Sequence, residues 1–250
     1  MNQNESKFFS KSELSRYDAT SLPFIYLLKS AYIQIRRKLW GKFFDKDARM
    51  VWTIDAVSDA VGPADNVRNY LERRTLRSVL SEVTKNGPIA SACEVGCGYG
   101  RLIMVLKEYA SKVVGFEREG HLLDVAKSLL PDIVFCQCDS LNMVDQRKLG
   151  PFDFAMTWTV LQHLTDEDCQ AVITAIKHLV PNGYILISEK TQAVAVTQNV
   201  TEGRQFISRA RSVETYKDWM KPYTLVKILN TSVENTYHNK TPGTCMLFKR

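Results

Sequence analysis

Apolar residues along this chain change their spacing twice. Up to about residue 88 they recur every three or four positions. Tyr26-Leu27-Leu28, Ala31-Tyr32, Ile35 and Leu39-Trp40 form one stretch, interleaved with Arg36, Arg37 and Lys38; Val67, Tyr70-Leu71, Leu76 and Val79-Leu80 form another. That period predicts helices, the second running from Asp65 to Val83 and stopped by Asn86-Gly87-Pro88. From Ile89 to about Lys190 the pattern alternates. Short runs rich in β-branched and aromatic residues (Ile89 to Val95, Lys112 to Glu117, Ile133 to Cys138, Phe152 to Trp158, Tyr184 to Glu189) read as strands. Between them, Arg101 to Ala110, His121 to Leu130 and Asp166 to Val180 read as helices, two of them closed by Pro131 and by Pro181-Asn182-Gly183. Strands alternating with helices of this length predict βαβ units and a parallel sheet covered on both faces. After this core, Val213 to Met220 reads as a helix stopped by Pro222. Thr224 to Val233 and Thr244 to Lys249 read as two strands around Thr241-Pro242-Gly243, an antiparallel hairpin at the sheet edge.

The segmentation divides the chain into a helical N-terminal extension, residues 1–88, and an α/β domain, residues 89–250. Composition agrees: 250 residues with 45% hydrophobic and 24% charged supply one sizeable core and exclude a disordered or coiled-coil chain. No apolar stretch approaches the roughly 18 residues needed to span a bilayer, so integral membrane association is not expected. The opening residues carry no apolar h-region, which predicts no secretory signal. Six cysteines with neither paired zinc spacing nor clustered histidines read as reduced, mostly buried thiols, and predict a cytoplasmic protein without a metal site. The net charge of +6 favours an anionic partner without identifying one.

The segment with the most chemistry in it is Glu94-Val95-Gly96-Cys97-Gly98-Tyr99-Gly100-Arg101. It follows the first strand and opens a helix. Glycines in such a turn let backbone approach a ligand with no Cβ in the way, and the helix start adds unpaired N–H donors. A phosphate-binding GxxxxGK[ST] loop is absent, and the dinucleotide pattern GxGxxG fails because its last glycine would be Arg101. The spacing is GxGxG, with an acid two residues upstream. Here the sequence resembles the class I S-adenosylmethionine-dependent methyltransferases, over about residues 89–190 and more weakly to the C-terminus. The resemblance extends to Val160-Leu161-Gln162-His163-Leu164, similar to a "VLxHL" stretch of small-molecule members, and to Pro181-Asn182-Gly183, similar to a "PGG" turn with one glycine replaced.

The resemblance implies a Rossmann-like methyltransferase fold, with a mostly parallel seven-stranded sheet and an antiparallel C-terminal hairpin strand. It implies S-adenosyl-L-methionine as cofactor, held by Glu94, Gly96, Cys97, Gly98 and Gly100, by Glu117 and Arg118 after the second strand, and by Asp139 and Ser140 after the third. Glu117 stands where the family places the acid that accepts from both ribose hydroxyls, a task suited to a carboxylate. Trp158 ends the fourth strand, at the edge where open α/β sheets bind ligands, and is either a site residue or core filling. Asp166 reads as a helix cap, and Asp153 as a structural turn residue.

Methyl transfer from a sulfonium needs position and, at most, removal of a proton. His163 is the candidate base, since an imidazole titrates near neutral pH; a packing role is its alternative. Arg204, Arg209 and Arg211 could clamp an anionic small-molecule acceptor or form a solvated basic face. Tyr70 and Arg73, with Arg74, lie in the helix expected to lid the site. Two further readings compete. Trp158 to Asp166 also resembles protein N-terminal α-amine methyltransferases, and an inactive scaffold of the same fold is conceivable. The absence of an [ND]PP[FY] tetrapeptide and of an appended RNA-binding module argues against nucleic acid. The basic helix Tyr26 to Phe44 suits a lid, a homodimer contact or an acidic membrane surface.

Overall fold

The computed structural model describes residues 63–191, 209–230 and 243–250. The helix Tyr26 to Phe44, Arg204 and the turn Thr241-Pro242 lie outside the described residues.

Helix α1 runs Pro63–Thr84, and its Leu76, Val79, Leu80 and Val83 are buried. They recur at the three- and four-residue spacing that sets them on one face, each worth about 1.5–3 kcal/mol when fully buried. After Gly87 the chain enters β1 (Ile89–Val95), the glycine turn, a single helical turn α2 (Ile103–Leu106) and β2 (Ala110–Glu117). Then come α3 (Gly120–Leu129), β3 (Val134–Gln137), 3₁₀ turns over Ser140–Leu149, β4 (Phe154–Trp158), a 3₁₀ turn Leu161–His163, α4 (Asp166–Leu179) and β5 (Tyr184–Lys190). Helix α5 (Val213–Met220) and strands β6 (Thr224–Asn230) and β7 (Gly243–Lys249) complete the described chain.

The seven strands form one sheet in the order β3-β2-β1-β4-β5-β7-β6. Pairings among β1 to β5 are parallel, and β7 runs antiparallel between β5 and β6. This is the Rossmann-like arrangement expected from the sequence, with the hairpin at the edge and β6 outermost. Successive strand residues join cores on opposite faces of the sheet, as a period of two requires. Ala92, Leu186, Cys245 and Leu247 join one core cluster with α1, α2 and α3; Cys93, Ile185, Ile187, Met246 and Phe248 join the other with α4 and α5.

The helix expected over Arg101 to Ala110 is much shorter. Hydrogen bonds at its ends close three residues back (Val105 N to Leu102 O at 2.9 Å, Tyr109 N to Leu106 O at 3.0 Å), and Ala110 already belongs to β2. The glycine turn and the incoming strand leave this segment few residues in which to propagate a helix. All six cysteines are free thiols, and no cluster of metal-binding side chains occurs among the described residues. No described helix is long and apolar enough to cross a membrane.

Candidate functional site

Strand order reverses between β1 and β4, so the loops after these neighbours diverge to opposite faces and leave a crevice at their C-terminal ends. The glycine turn leaves β1 there. Gly96 N and Cys97 N both donate to Phe116 O, at 2.8 and 3.0 Å, which fastens the turn to the end of β2. Two of its glycines serve different purposes. Gly96 has φ +72, and a Cβ on it would lie 2.4 Å from Val160 Cγ2, so it allows the β4 loop to pack against the turn. Gly98 has φ +55, and a Cβ on it would meet nothing within 4 Å. The space beside its backbone is open, a cradle of the kind a ligand fills.

Two buried carboxylates flank this cradle. Glu94, 3% exposed, has no hydrogen-bond partner for Oε2 among the described residues. Burial pushes its carboxyl up to about 8; Arg101 pulls the other way, and Glu117 adds to the rise. An orphaned oxygen of this sort calls for a donor, and a ligand's ammonium or hydroxyl would meet the need. Glu117 accepts from Gly98 N at 2.8 Å through Oε2, and from Arg118 N and Glu119 N at 2.8 and 3.0 Å through Oε1. It therefore ties the cradle to β2 and keeps lone pairs for further donors. Arg118 pairs its guanidinium with Glu119, 2.7 Å away. Asp139 caps the 3₁₀ turns by accepting from Leu141 N at 3.1 Å, with Ser140 opening them. Cys97 is buried, its sulfur against Gly115.

Across the crevice, Trp158 ends β4 inside the core, 5% exposed. The next residue, Thr159, has φ +56. A β-branched residue there is a genuine outlier, and the strain is of order 1–3 kcal/mol. It is held by Thr159 N donating to Ser188 O at 2.8 Å. The loop that follows is gripped by groups the sequence did not single out. Glu189, 1% exposed at the end of β5, accepts from Val160 N and Leu161 N through Oε1 at 3.0 Å each, and from Gln162 N through Oε2 at 3.1 Å. Burial pushes this carboxyl up to about 7, against the pull of those three N–H groups and of Arg211.

The carbonyls of the same loop are taken by the arginines expected to clamp an acceptor. Arg211, 3% exposed, donates to Leu161 O (2.8 Å), Leu164 O (2.7 Å) and Asp166 Oδ1 (2.8 Å), and lies over the Trp219 ring. Arg209 donates from its backbone to Gln162 O (2.7 Å) and from Nη1 to Leu164 O (3.1 Å). The expectation of an anion clamp is revised for Arg211, because its donors are directed at protein oxygens. Asp166 is likewise Arg211's partner, and the cap of α4 is Thr165, which accepts from Asp168 N at 3.1 Å. Asp153 is the turn residue expected, accepting from Ser91 N at 2.9 Å. His163 lies in the 3₁₀ turn, its Nε2 3.1 Å from Gln162 Nε2.

Helix α1 is bolted to the start of α2. Arg101 pairs with buried Glu72 at 2.6 Å and donates to Asn69 Oδ1 at 3.2 Å. Arg73 donates to Arg101 O at 3.2 Å, while its Nε is buried with no partner among the described residues. Tyr70 is 51% exposed. Arg101 and Glu72 carried no sequence signal beyond their charge, because the pair joins residues far apart in the chain.

Residues 92–183 match the family described as a methyltransferase domain. An uncharacterised methyltransferase of Oceanobacillus iheyensis is 28% identical over 112 residues, which cover 44% of this chain and 51% of the relative. The match thus spans about half the length of that curated relative. Among solved structures, an S-adenosylmethionine-dependent methyltransferase from Leishmania major superposes with a TM-score of 0.63 at 20% identity, covering 86% of this chain and 89% of that one. The magnesium protoporphyrin IX methyltransferase of Synechocystis, solved with bound S-adenosylmethionine, gives 0.57 at 15% identity over 93% and 97% of the two chains. An N-methyltransferase of Bradyrhizobium japonicum in complex with S-adenosylhomocysteine gives 0.55 at 15% over 71% and 86%. Identities this low speak to the fold alone.

Proposed function

We propose that the chain, a member of the class I S-adenosylmethionine-dependent methyltransferases, transfers a methyl group to an oxygen or nitrogen of a small-molecule acceptor at the crevice between β1 and β4. The observation that carries the cofactor assignment is the open space at Gly98 between two buried carboxylates, one with an orphaned oxygen. Gly98 lets the ligand lie against the backbone; Glu94 suits an ammonium; Glu117 suits a vicinal diol. S-adenosylmethionine bound there would supply an electrophilic methyl on a sulfonium, with S-adenosylhomocysteine as the leaving thioether. The chain's remaining work is orientation and the acceptor's proton. We assign the acceptor side to the loop after β4, where His163 carries the titratable ring, and a covering role to the extension 1–88, with Arg73 and Tyr70 on its last helix.

A small acceptor is favoured by the "VLxHL" likeness and fits the named activities of two of the fold relatives, a protoporphyrin methyltransferase and an N-methyltransferase. A second reading, a protein N-terminal amine, rests on the stretch Trp158 to Asp166. Calorimetric titration with S-adenosylhomocysteine tests the cofactor, and absence of binding at millimolar ligand overturns the assignment. Screening metabolite, peptide and RNA pools for label from methyl-labelled cofactor separates the acceptors: label in peptide or RNA alone overturns the small-molecule reading.

A further inference from the structure

The buried Gln162 side chain joins two groups of fixed character. Its Oε1 accepts from the backbone Lys190 N at 3.3 Å, and its Nε2 lies 3.1 Å from His163 Nε2. The backbone of Gln162 is held on both sides, by Glu189 Oε2 on its N–H and by Arg209 N on its carbonyl, so the side chain starts from a fixed root. A main-chain N–H can only donate. It therefore sets the amide oxygen toward Lys190 and turns the NH₂ toward the histidine; the flipped amide would bury its NH₂ against the Lys190 N–H, donor against donor. A ring nitrogen facing an NH₂ must accept.

We propose that Gln162 is a positioning residue that fixes the tautomer of His163: neutral His163 carries its proton on Nδ1, with Nε2 as the acceptor held by Gln162. The direction of the bond has a chemical consequence. A general base needs an unprotonated nitrogen toward the acceptor's proton, and in this tautomer the one unprotonated nitrogen is engaged. Taking up a proton there would also set N–H against N–H across 3.1 Å. In this tautomer Nδ1 can only donate, so His163 does not serve as the general base, and the acceptor's proton leaves by another route or after transfer. The tautomer rests on the loop geometry alone; its bearing on catalysis rests on the methyltransferase reading.

The test uses the full chain labelled with ¹⁵N at histidine, in long-range ¹H–¹⁵N correlation spectra, with the His163 signals assigned by their loss in His163→Asn. The wild type is expected to show the Nδ1–H pattern. In Gln162→Glu a carboxylate accepts from both Lys190 N–H and the ring, so the pattern switches to Nε2–H; Gln162→Met, which introduces no buried charge, loses the Nδ1–H preference. A wild-type ring in the Nε2–H form, or the same pattern in wild type and both variants, overturns the proposal. These spectra need no acceptor, so they stand apart from the fate of the methyltransferase reading. With an acceptor in hand, His163→Asn keeps an N–H near the Nδ1 position and is expected to exceed His163→Gln in kcat by about tenfold, one hydrogen bond's worth. If both variants instead fall together by the ~10²–10⁴-fold typical of a lost general base, the donor role is overturned.

Discussion

Gly98→Ala separates ligand binding from folding within a single motif. At φ +55, a residue with a Cβ costs about 1–2 kcal/mol in the folded state, and the stiffer unfolded chain returns about 0.4–1 kcal/mol. Beyond Gly98 itself and its two chain neighbours, no described atom lies within 4 Å of the new methyl. The net loss is roughly 1 kcal/mol, which for a chain of this size lowers Tm by about 2–4 °C. The methyl occupies the space beside Gly98 N, where the cofactor is proposed to approach the backbone, and affinity for S-adenosylhomocysteine should fall at least tenfold, or about 1.4 kcal/mol. Gly96→Ala is the internal control. Its Cβ would stand 2.4 Å from Val160 Cγ2, so overpacking adds about 1–3 kcal/mol to the left-handed penalty. Thermal melts should therefore rank Gly96→Ala as the less stable variant, while calorimetry shows Gly98→Ala losing more affinity than its small Tm change explains. A folded Gly98→Ala that binds S-adenosylhomocysteine as wild type does would refute the cradle.

Three further outcomes are expected. Glu117→Gln should weaken cofactor affinity by roughly 1.5–3 kcal/mol in calorimetry, because a charged acceptor serving several N–H groups becomes a neutral one; unchanged affinity would confine Glu117 to holding the turn. Glu94 is raised from 4.5 to about 8, so the folded state keeps a proton the unfolded chain has released, and stability contributed by this group falls as pH rises from about 4.5 to about 8. The limiting slope is about 1.4 kcal/mol per pH unit, and denaturant titrations across that window should show a shallower decline in Glu94→Gln than in wild type. Arg211→Met should cost roughly 2–4 kcal/mol in thermal or denaturant unfolding, since the Leu161 carbonyl loses its Arg211 donor and the Leu164 carbonyl keeps only Arg209, and should leave acceptor KM in place; a raised KM at wild-type stability would restore the anion clamp.

The sheet was legible because its physics is local and periodic. A strand buried on both faces must be mostly apolar, as Phe154 to Trp158 is apart from Thr157, and a helix must present a stripe, as Leu76, Val79, Leu80 and Val83 do. The turn after β1 was legible because left-handed φ and close approach both select glycine, so the requirement is written in residue type. The overlong helix at Arg101 failed for the complementary reason. Leu102, Ile103, Val105 and Leu106 are all buried, a run that fits a helix of any length. Its extent is set by where β2 must start to register Ile89 against Ala110, which is a long-range constraint.

The loop after β4 marks where the sequence falls silent. Its N–H groups are held by Glu189 and its carbonyls by Arg209 and Arg211, so a strained turn is clasped between an anion and two cations drawn from residues 27 to 50 positions away. Each contact pairs a side chain with main chain. The main-chain partner has no residue identity, so no spacing between Glu189 and Val160, or between Arg211 and Leu161, could announce it. Three arginines close together in sequence invite the reading of an anion site, because ligand and peptide carbonyl present the same acceptor chemistry to a guanidinium. What distinguishes the two is desolvation. Arg211 at 3% exposure has exchanged water for protein oxygens already in place, and a guanidinium so satisfied gains little by turning to a ligand. The same clasp explains how Thr159 can remain at φ +56: Glu189 on one side and Arg209 and Arg211 on the other fix the loop that follows it. The acceptor side of this crevice is thus preorganised by backbone-directed charge, and His163 receives its orientation from the fold.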